Sequence, residues 1–350
     1  MDGSVTKQDI RRYLIIFVMA FVLSAWTPAI LAAEIPETLV PMGKTVGISI
    51  ECEGVLVVSL NEVNTPEGVV TPGLDAGLKP GDMITHVNSD EISTLDDFQT
   101  AIEKVPGEIM TVRIKRDSEE MQLNLTPALN SDGINELGLW LRDSMAGIGT
   151  VTFYDPENGT YGALGHSVSD IEAGIVVPLK SGSIMPANII SIIRGEAGMP
   201  GELQGEFEFG NNIGTINSNT DAGIFGVIEN TAVTEGAQPI PVGSENDIEL
   251  GDATILSNIS GEEIEEYSIE ISRIFSGGDN RKVMITVTDQ RLLDATGGIV
   301  QGMSGSPIIQ NGKLVGAVTH VLINNPEKGY GISMDNMLSA AYSDDLRDAA

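Results

Sequence analysis

The stretch "GGIVQGMSGSPIIQNGKLVGAVTH", residues 297–320, is the part of the chain that indicates the fold most strongly. Its first half places Ser304 between glycines, which favours a tight turn. Its second half has apolar runs on both sides of Asn311-Gly312, and an Asn-Gly pair in that setting is the strongest short-range signal of a β-hairpin. The stretch therefore predicts a serine on a tight turn, followed directly by a two-stranded hairpin.

Composition narrows the class of protein. The chain has 350 residues, with 19 Lys plus Arg against 50 Asp plus Glu, and a net charge of -31. That length suits two domains. Phosphate binding depends on concentrated Lys and Arg, so the charge argues against a nucleic-acid partner. Three scattered histidines and one cysteine offer no metal-ligand spacing, so the sequence predicts no metal and no cofactor.

The N-terminus is typical of an export signal. Lys7, Arg11 and Arg12 precede an uncharged apolar run at 13–33 that is about long enough to span a bilayer. Residues 1–33 are predicted to be a signal peptide or a membrane anchor, followed by a linker at 34–41. The rest of the chain is expected to work outside the cytoplasm, secreted or anchored to the membrane.

Residues 42–127 have the pattern of a small domain with strands and one helix. "VGISI" and "GVLVV" are predicted as strands, Met83–Val87 as another, and Thr94 as the N-cap of a helix that ends near Pro106. This segment resembles a bacterial PDZ domain in "AGLKPGDMITHVN" and in "MGKTVGISI". The resemblance implies that Thr45, Val46, Gly47 and Ile48 bind a peptide by strand addition. A folded spacer with an unused groove is the alternative.

After a linker at 128–136, residues 137–350 indicate many short strands. Alternation is clear in "YSIEISRIF" and "RKVMITVTD". Turn signals at short intervals favour a sandwich or barrels. The chain is therefore expected to be mainly β, with a small α+β PDZ-like domain followed by a β-rich domain.

The turn around Ser304 fits nucleophilic catalysis, which needs an exposed hydroxyl, a base and donors for the oxyanion. The N–H groups of Gly302 and Ser304 are the predicted oxyanion donors. The sequence from Gly302 to Pro307, which is followed by a predicted hairpin, resembles the nucleophile turn of chymotrypsin-like peptidases. That resemblance implies a double β-barrel and a substrate-binding strand at Thr319, His320 and Val321. A glycine-rich β-turn without chemistry is the alternative.

The scarcity of histidine favours one base. His86 belongs to the PDZ-like segment and His320 to the predicted substrate strand, which leaves His166 in "GALGHSVSD". The order of His166 before Ser304 matches chymotrypsin-like enzymes.

The orienting acid is less constrained, because the chain has many carboxylates. Asp289 stands at the end of an alternating strand, 15 positions before Ser304. Its rivals are Asp294, Asp170 and Asp155. The residues themselves leave this choice open.

Two blocks resemble one family, the stage IV sporulation protein B peptidases: "GALGHSVSD" at 162–170 and the run from Val287 to Val321. The order of membrane segment, PDZ domain and peptidase domain agrees. The resemblance implies a triad of His166, Asp289 and Ser304. It implies a serine endopeptidase that cuts itself and then a membrane-complex regulator between the forespore membranes, which activates a late mother-cell sigma factor. The alternatives are a non-catalytic PDZ scaffold and a general extracytoplasmic quality-control protease.

Overall fold

The computed structural model describes residues 35–105, 107–117, 119–277 and 280–343. The predicted signal peptide or membrane anchor at 1–33 lies outside these residues. From Pro36 onward the described residues form one unit. Within the described ranges, no helix is both long enough and apolar enough to cross a membrane.

Strands make up most of the structure. In chain order they are β1 (Thr38–Leu60), β2 (Val63–Thr65), β3 (Gly68–Val70), β4 (Met83–Val87), β5 (Asp90–Glu91), β6 (Met110–Arg116), β7 (Glu119–Leu125), β8 (Ala128–Leu129), β9 (Asn135–Glu136), β10 (Leu139–Tyr154), β11 (Thr160–Ala163), β12 (Ser169–Asp170), β13 (Ile175–Val176), β14 (Leu179–Ile193), β15 (Glu202–Phe207), β16 (Gly214–Thr220), β17 (Gly223–Ile228), β18 (Ile240–Pro241), β19 (Gly251–Ser260), β20 (Glu263–Ile274), β21 (Val283–Val287), β22 (Pro307–Gln310), β23 (Lys313–Leu322) and β24 (Asn325–Ser333). The helices are α1 (Pro72–Asp75), α2 (Leu95–Glu103), α3 (Gln290–Thr296) and α4 (Met334–Ala341).

A first barrel closes through β1, β10, β11, β17, β16 and β14. Each strand pairs antiparallel with the next, and β14 pairs back with β1. Alternate side chains of these strands fill its interior, among them the fully buried Val46, Ile50 and Tyr161. Because the ring is complete, these strands bury one face without leaving an open edge.

A second closed barrel consists of β19, β20, β21, β24, β23 and β22. The two alternating segments predicted as strands are β20 and β21, which pair with each other. The predicted hairpin is β22 and β23, and Asn311 and Gly312 form its turn with φ values of 52° and 75°. Two left-handed residues in a row match the twist of the flanking strands. The prediction of a chymotrypsin-like double barrel is confirmed.

The PDZ-like domain is also confirmed as a sheet covered by a helix. Its sheet contains β4, β6, β7 and the last residues of β1, and α2 packs on it through Phe98 and Ile102. Thr94 caps α2 as predicted: its side chain accepts from the N–H of Asp97, and Asp97 accepts from the N–H of Thr94. The cap satisfies donors that the first turn of a helix leaves free.

The two strands predicted at "VGISI" and "GVLVV" are one strand, β1, of 23 residues. Its first part belongs to the barrel and its last part to the PDZ sheet, with a shift of register between Glu51 and Leu56. The start of β10 follows β1 into the PDZ sheet. The predicted boundaries at 42–127 and 137–350 stay predictions, and the segment between them, 128–136, forms the small separate sheet of β8 and β9.

The predicted peptide-binding residues Thr45–Ile48 lie in the wall of the first barrel. One edge of this segment pairs with β10 and the other with β14. A peptide adds as a strand only where an edge is free, so this prediction is wrong. Thr45 is buried and donates to the carbonyl of Asn258, 3.0 Å away.

Candidate active site

One cleft brings most of the predicted catalytic residues together. It has a volume of about 1110 Å³ and takes its walls from both barrels. The predicted site residues that line it are His166, Gly302, Ser304, Thr319, His320 and Val321. The predicted base therefore comes from the first barrel, and the predicted nucleophile and substrate strand come from the second.

His166 follows β11 on a turn that leads the chain out of the first barrel. Leu164 and Gly165 have φ values of 69° and 71°, so two left-handed residues precede the histidine. The Nδ1 atom of His166 lies 2.8 Å from the carbonyl oxygen of Ser167. A carbonyl only accepts, so Nδ1 carries the proton and Nε2 keeps its lone pair. Burial lowers the pKa of His166, opposed by that hydrogen bond, and the imidazole stays neutral and able to accept a proton.

Ser304 is held on its turn by the first barrel. The N–H of Thr150 donates to the carbonyl of Ser304 at 3.0 Å, and the Thr150 hydroxyl donates to the carbonyl of Gly302 at 2.7 Å. Gly305 has φ 98°, and a Cβ there would lie 1.9 Å from the carbonyl oxygen of Thr150. Glycine is therefore required at 305, because the two barrels meet backbone to backbone at this point.

The side chain of Ser304 is in a resting position. Its hydroxyl donates to the carbonyl of Thr319 at 2.6 Å, and not to His166. Attack on a substrate requires rotation of the Ser304 side chain toward the free Nε2 of His166. Such contacts in unliganded enzymes often form only when substrate is present.

The predicted oxyanion donors are free. Met303 donates its N–H to Val300 and Gly305 donates its N–H to Val318. Among the described residues, the N–H groups of Gly302 and Ser304 donate no hydrogen bond. Alternate amides of this turn therefore hold it in place, and the amides between them are available to an anionic oxygen.

The predicted substrate strand, Thr319–Val321, is the end of β23 and runs along the cleft. The ring of His320 lies 4.8 Å from the ring of His166, centroid to centroid. Burial, together with the nearby His166 and Arg281, lowers the pKa of His320 to about 4. His320 is therefore a neutral neighbour of the base at physiological pH.

The structure does not bring Asp289 to this cleft. Asp289 is the N-cap of α3: its carboxylate accepts from the N–H groups of Arg291 and Ser268 and forms an ion pair with the Arg291 guanidinium at 2.9 Å. The Arg291 side chain, helped by these backbone hydrogen bonds, lowers the pKa of Asp289. A cap and an ion pair account for this carboxylate, and His166 already donates to Ser167.

The rival acids have structural partners as well. Asp170 is fully buried and pairs with Arg142 at 2.6 Å. Asp155 accepts from the amide of Asn158 and from the hydroxyl of Tyr342. Asp294 accepts from Gln290 within α3. The cleft-lining side chains include none of these three.

The carboxylate that does line the cleft is Asp221, which the sequence analysis missed. It is exposed on the turn between β16 and β17, and its carbonyl accepts from the Asn280 amide at 2.8 Å. This turn lies against the His166 loop: Asn219 exchanges two hydrogen bonds with Val168, both 2.8 Å. Nothing in the sequence distinguishes Asp221, because it is one acidic residue on one polar turn among many.

Comparison with known families gives two matches. The family model described as SpoIVB peptidase S55 matches residues 133–338, and the PDZ domain model matches residues 47–126. The first match contains His166, Ser304 and Asp221. The second contains the end of β1, α2 and the sheet strands β4 and β6.

Matches to curated proteins are partial and short. A probable protease named eep from Enterococcus faecalis is 33% identical over 76 residues, which is 21% of this chain and 17% of that protein. The zinc metalloprotease RasP of Shouchella clausii is 35% identical over 69 residues, 20% of this chain and 16% of that protein. The matched region thus spans less than a fifth of these relatives.

Two solved proteases are among the structures to which the chain shows a similarity. The active form of the Rv3671c protease from M. tuberculosis is 15% identical, with 58% of this chain and 75% of that chain covered and a TM-score of 0.31. The HtrA-type protease AlgW with a decapeptide is 12% identical, with 71% of this chain and 66% of that chain covered and a TM-score of 0.34. The double barrel described above rests on strand pairing alone.

Proposed function

The chain belongs to the SpoIVB peptidase S55 family and is a serine peptidase with a PDZ domain, and on that premise we propose that Ser304 is its nucleophile and His166 its general base. One observation carries the proposal. His166 and Ser304 come from different barrels and line one cleft, where the N–H groups of Gly302 and Ser304 donate no hydrogen bond to any described residue.

The proposed reaction is acyl transfer from a peptide bond. The Ser304 Oγ attacks the scissile carbonyl carbon while Nε2 of His166 takes the hydroxyl proton. The amides of Gly302 and Ser304 stabilise the oxyanion, at about 3–4 kcal/mol for a good donor. The tetrahedral intermediate then expels the amine, which receives the proton from His166. Water attacks the acyl-enzyme by the same route and releases Ser304.

Asp221 is the acid that we assign to this site in place of Asp289. In the structure the carbonyl of Ser167 orients the imidazole of His166. A carboxylate on the neighbouring turn stabilises the imidazolium that forms when His166 takes the proton. Asp221 lines the same cleft as His166, whereas Asp289 is bound to Arg291 and Ser268.

The biological setting of the proposal comes from the family. We propose that the enzyme is exported, that it cleaves itself and a regulator in a membrane complex, and that this step signals in sporulation. The basic flank and apolar run before residue 34 support export. The alternatives without catalysis, such as a PDZ scaffold, leave the free base and the free amide pair without a use.

The test is labelling of the full chain with a serine-reactive phosphonate, read by mass spectrometry together with self-cleavage. We expect label on Ser304 in the wild type, none in Ser304→Ala, and none in His166→Ala. His320→Gln is the matched control, because it removes the other cleft imidazole, and it should still label. Equal labelling of wild type and Ser304→Ala would overturn the assignment of the nucleophile.

A further inference from the structure

The hairpin of β14 and β15 extends from the first barrel and reaches the segment that precedes Ser304. We propose that Leu203, at the start of β15, is a positioning residue for the oxyanion site. Its backbone N–H holds the peptide unit between Gln301 and Gly302, so that the N–H of Gly302 faces the cleft. This inference rests on the function proposed above, because it concerns the donor that Gly302 supplies to that reaction.

The start of β15 pairs with the residue immediately before Gly302. The N–H of Leu203 donates to the carbonyl of Gln301 at 2.9 Å, and the N–H of Gln301 donates to the carbonyl of Gly201 at 2.8 Å. These two bonds form a parallel bridge between Glu202 and Gln301. The hairpin therefore binds Gln301 through both its N–H and its carbonyl.

The bond from Leu203 fixes the direction of the Gly302 amide. The carbonyl of Gln301 and the N–H of Gly302 belong to one planar peptide unit, and in a trans peptide they point in opposite directions. A carbonyl held on the hairpin therefore directs the N–H of Gly302 away from the hairpin, and Gly302 lines the catalytic cleft.

Gly302 itself does not prevent this peptide unit from turning over. It has a φ of 97°, and a glycine accepts either sign of φ without a steric penalty. Rotation of the unit would carry the N–H of Gly302 out of the cleft. The hydrogen bond from Leu203 to Gln301 supplies the restraint that the glycine lacks.

The second proposed donor, the N–H of Ser304, is held in a different way. The carbonyl in its peptide unit is that of Met303, which accepts from the N–H of Ser306 at 3.0 Å within the same turn. One donor of the oxyanion site is thus fixed by its immediate neighbours. The other depends on a hairpin that is distant in the sequence and extends from the other barrel.

The hairpin is anchored to the second barrel on both sides of its turn. The N–H of Gly195 donates to the carbonyl of Thr296, and the N–H of Gly198 donates to the carbonyl of Ile323, each at 2.8 Å. The Leu203 side chain is 1% exposed and belongs to the apolar core cluster of the second barrel. Backbone bonds and a buried leucine therefore hold the start of β15 against the catalytic turn.

The N–H of Leu203 can be removed without loss of a bond between β14 and β15. Leu203 lies opposite Ile192 of β14, and in an antiparallel pair alternate residues direct their N–H groups away from the partner strand. The N–H of Leu203 is directed away from β14, because it donates to Gln301. Proline lacks this donor, so Leu203→Pro deletes the bond to Gln301 and spares the β14 ladder.

A proline at the turn of the same hairpin is the matched control. The N–H of Met199 donates to the carbonyl of Glu196 at 2.9 Å, which closes a β-turn. Gly198 has a φ of 87°, as the third residue of a type II turn does, and the second residue of that turn favours proline. Ala197→Pro therefore adds a proline to the hairpin and keeps the N–H of Leu203.

The test is labelling of the full chain with a serine-reactive phosphonate over a range of concentrations. The phosphonyl oxygen takes the place of the oxyanion, so the limiting rate reports the oxyanion site and the half-saturating concentration reports binding. We expect Leu203→Pro to lower the limiting rate by about 10²–10³-fold, as loss of one donor does, with the half-saturating concentration nearly unchanged. Ala197→Pro should label at the wild-type rate. Leu203→Val, which keeps the N–H, should label far faster than Leu203→Pro.

Gly201→Ala is a second variant, because a proline can also unfold a strand. A Cβ at this position would lie 2.7 Å from Val300 Cγ1 and 2.4 Å from the carbonyl oxygen of Ile193. It would therefore push the hairpin away from the segment before Gly302, and we expect a lower limiting rate. Thermal unfolding followed by circular dichroism shows which variants are folded. A wild-type limiting rate in folded Leu203→Pro, or in Gly201→Ala if the proline variant is unfolded, would overturn the proposal.

The direction of the Gly302 amide is observed by NMR. The chain has two Gln-Gly pairs, 204–205 and 301–302. Glutamine labelled with ¹³C at the carbonyl and glycine labelled with ¹⁵N therefore give one coupled amide signal for each pair, and Gln204→Glu identifies them. After complete phosphonate labelling, the Gly302 amide proton should move downfield in the wild type and stay near its original position in Leu203→Pro. An equal downfield shift in both proteins would overturn the proposal.

This proposal and the proposed function fail in different ways. If Ser304 is not the nucleophile, the wild type carries no label on Ser304 at any phosphonate concentration, and the inference falls with the function. If Ser304 is the nucleophile and Leu203 does not position the amide, the wild type and Leu203→Pro are labelled at the same limiting rate.

Discussion

Each barrel contributes one half of the proposed active site, His166 from the first and Ser304 from the second. The barrels differ in whether their strands continue into another sheet. The second barrel closes on itself and supplies Ser304, the oxyanion amides and the substrate strand. The first barrel is also closed, but β1 and β10 leave it and become part of the PDZ sheet. The proposed nucleophile is therefore built into a self-contained barrel, while the proposed base stands on a barrel that shares strands with a second domain.

The largest expected effect on activity comes from removing either the proposed base or the proposed nucleophile. His166→Ala in the first barrel and Ser304→Ala in the second should each lower kcat by about 10⁶-fold, and the double variant should be no worse. Non-additivity follows because proton transfer and attack are one step. Steady-state cleavage of a peptide substrate measures this, and His86→Ala is the control, since His86 lies in β4 of the PDZ sheet. An additive double variant would contradict the pairing of the two barrels.

The two acids give the sharpest test of which barrel supplies the third group. Asp221→Asn should lower kcat/KM by between about 10² and 10⁴-fold, because the imidazolium loses its counter-charge. Asp289→Asn keeps much of the cap of α3 and should leave kcat/KM within a few-fold of the wild type.

The pH dependence of kcat/KM distinguishes a loss of the Asp221 charge from a structural defect in the Asp221→Asn variant. If the Asp221 carboxylate stabilises the imidazolium of His166 as proposed, its removal favours the neutral imidazole, and the acid limb of kcat/KM should move to lower pH. A larger loss from Asp289→Asn than from Asp221→Asn would restore the prediction made from the sequence.

Substitution of Gly305, with Gly312 as the control, tests how closely the two barrels pack against each other. Gly305→Ala should lower the free energy of unfolding by about 3 kcal/mol or more, because its Cβ would overlap the Thr150 carbonyl at positive φ. Gly312→Ala, in the β22–β23 turn, also has positive φ but meets no atom within 4 Å, and should cost about 1 kcal/mol. The free energies of unfolding of the two variants are compared by urea unfolding. Phosphonate labelling checks that each variant is folded. Similar losses would mean that the contact at Gly305 relaxes.

The smallest expected effect concerns pH. The base must be neutral, and a histidine is neutral above its pKa. Because burial lowers the pKa of His166, the acid limb of kcat/KM should have its midpoint below 6.5 rather than above it. His320→Gln should leave that midpoint in place, since a group with a pKa of about 4 is already neutral there. A midpoint above 6.5 would indicate a carboxylate bound directly to His166.

Local chemistry explains what could be predicted. The Asn311-Gly312 hairpin, the Thr94 cap and the alternation in β20 and β21 each depend on a few adjacent residues. The turn at Ser304 likewise depends on a few adjacent residues, Gly302 to Gly305. His166 is predicted as the base because the chain has only three histidines and the other two lie in the PDZ-like segment and the predicted substrate strand.

Strand pairing between distant parts of the chain explains why the peptide-binding residues and the cleft carboxylate could not be predicted from the sequence. Residues Thr45–Ile48 and Leu139–Arg142 are both strand segments, and only the pairing shows that, among the described strands, the first has partners on both edges and the second on one. Asp221 and Asp289 both follow a strand of the structure, β16 and β21. The partner of each carboxylate is decided by residues far away in the chain, and a single sequence contains no record of them.

The sequence by itself determined a mainly β peptidase with a PDZ domain, a serine on a glycine turn and a single suitable base. These follow from periodicity, turn chemistry and the small number of histidines. Only the tertiary structure decided that β1 and β10 join the domains, which carboxylate reaches the cleft, and where a strand edge remains open. Those outcomes depend on closing barrels from strands distant in sequence, where backbone pairing, not side-chain pattern, selects the neighbour.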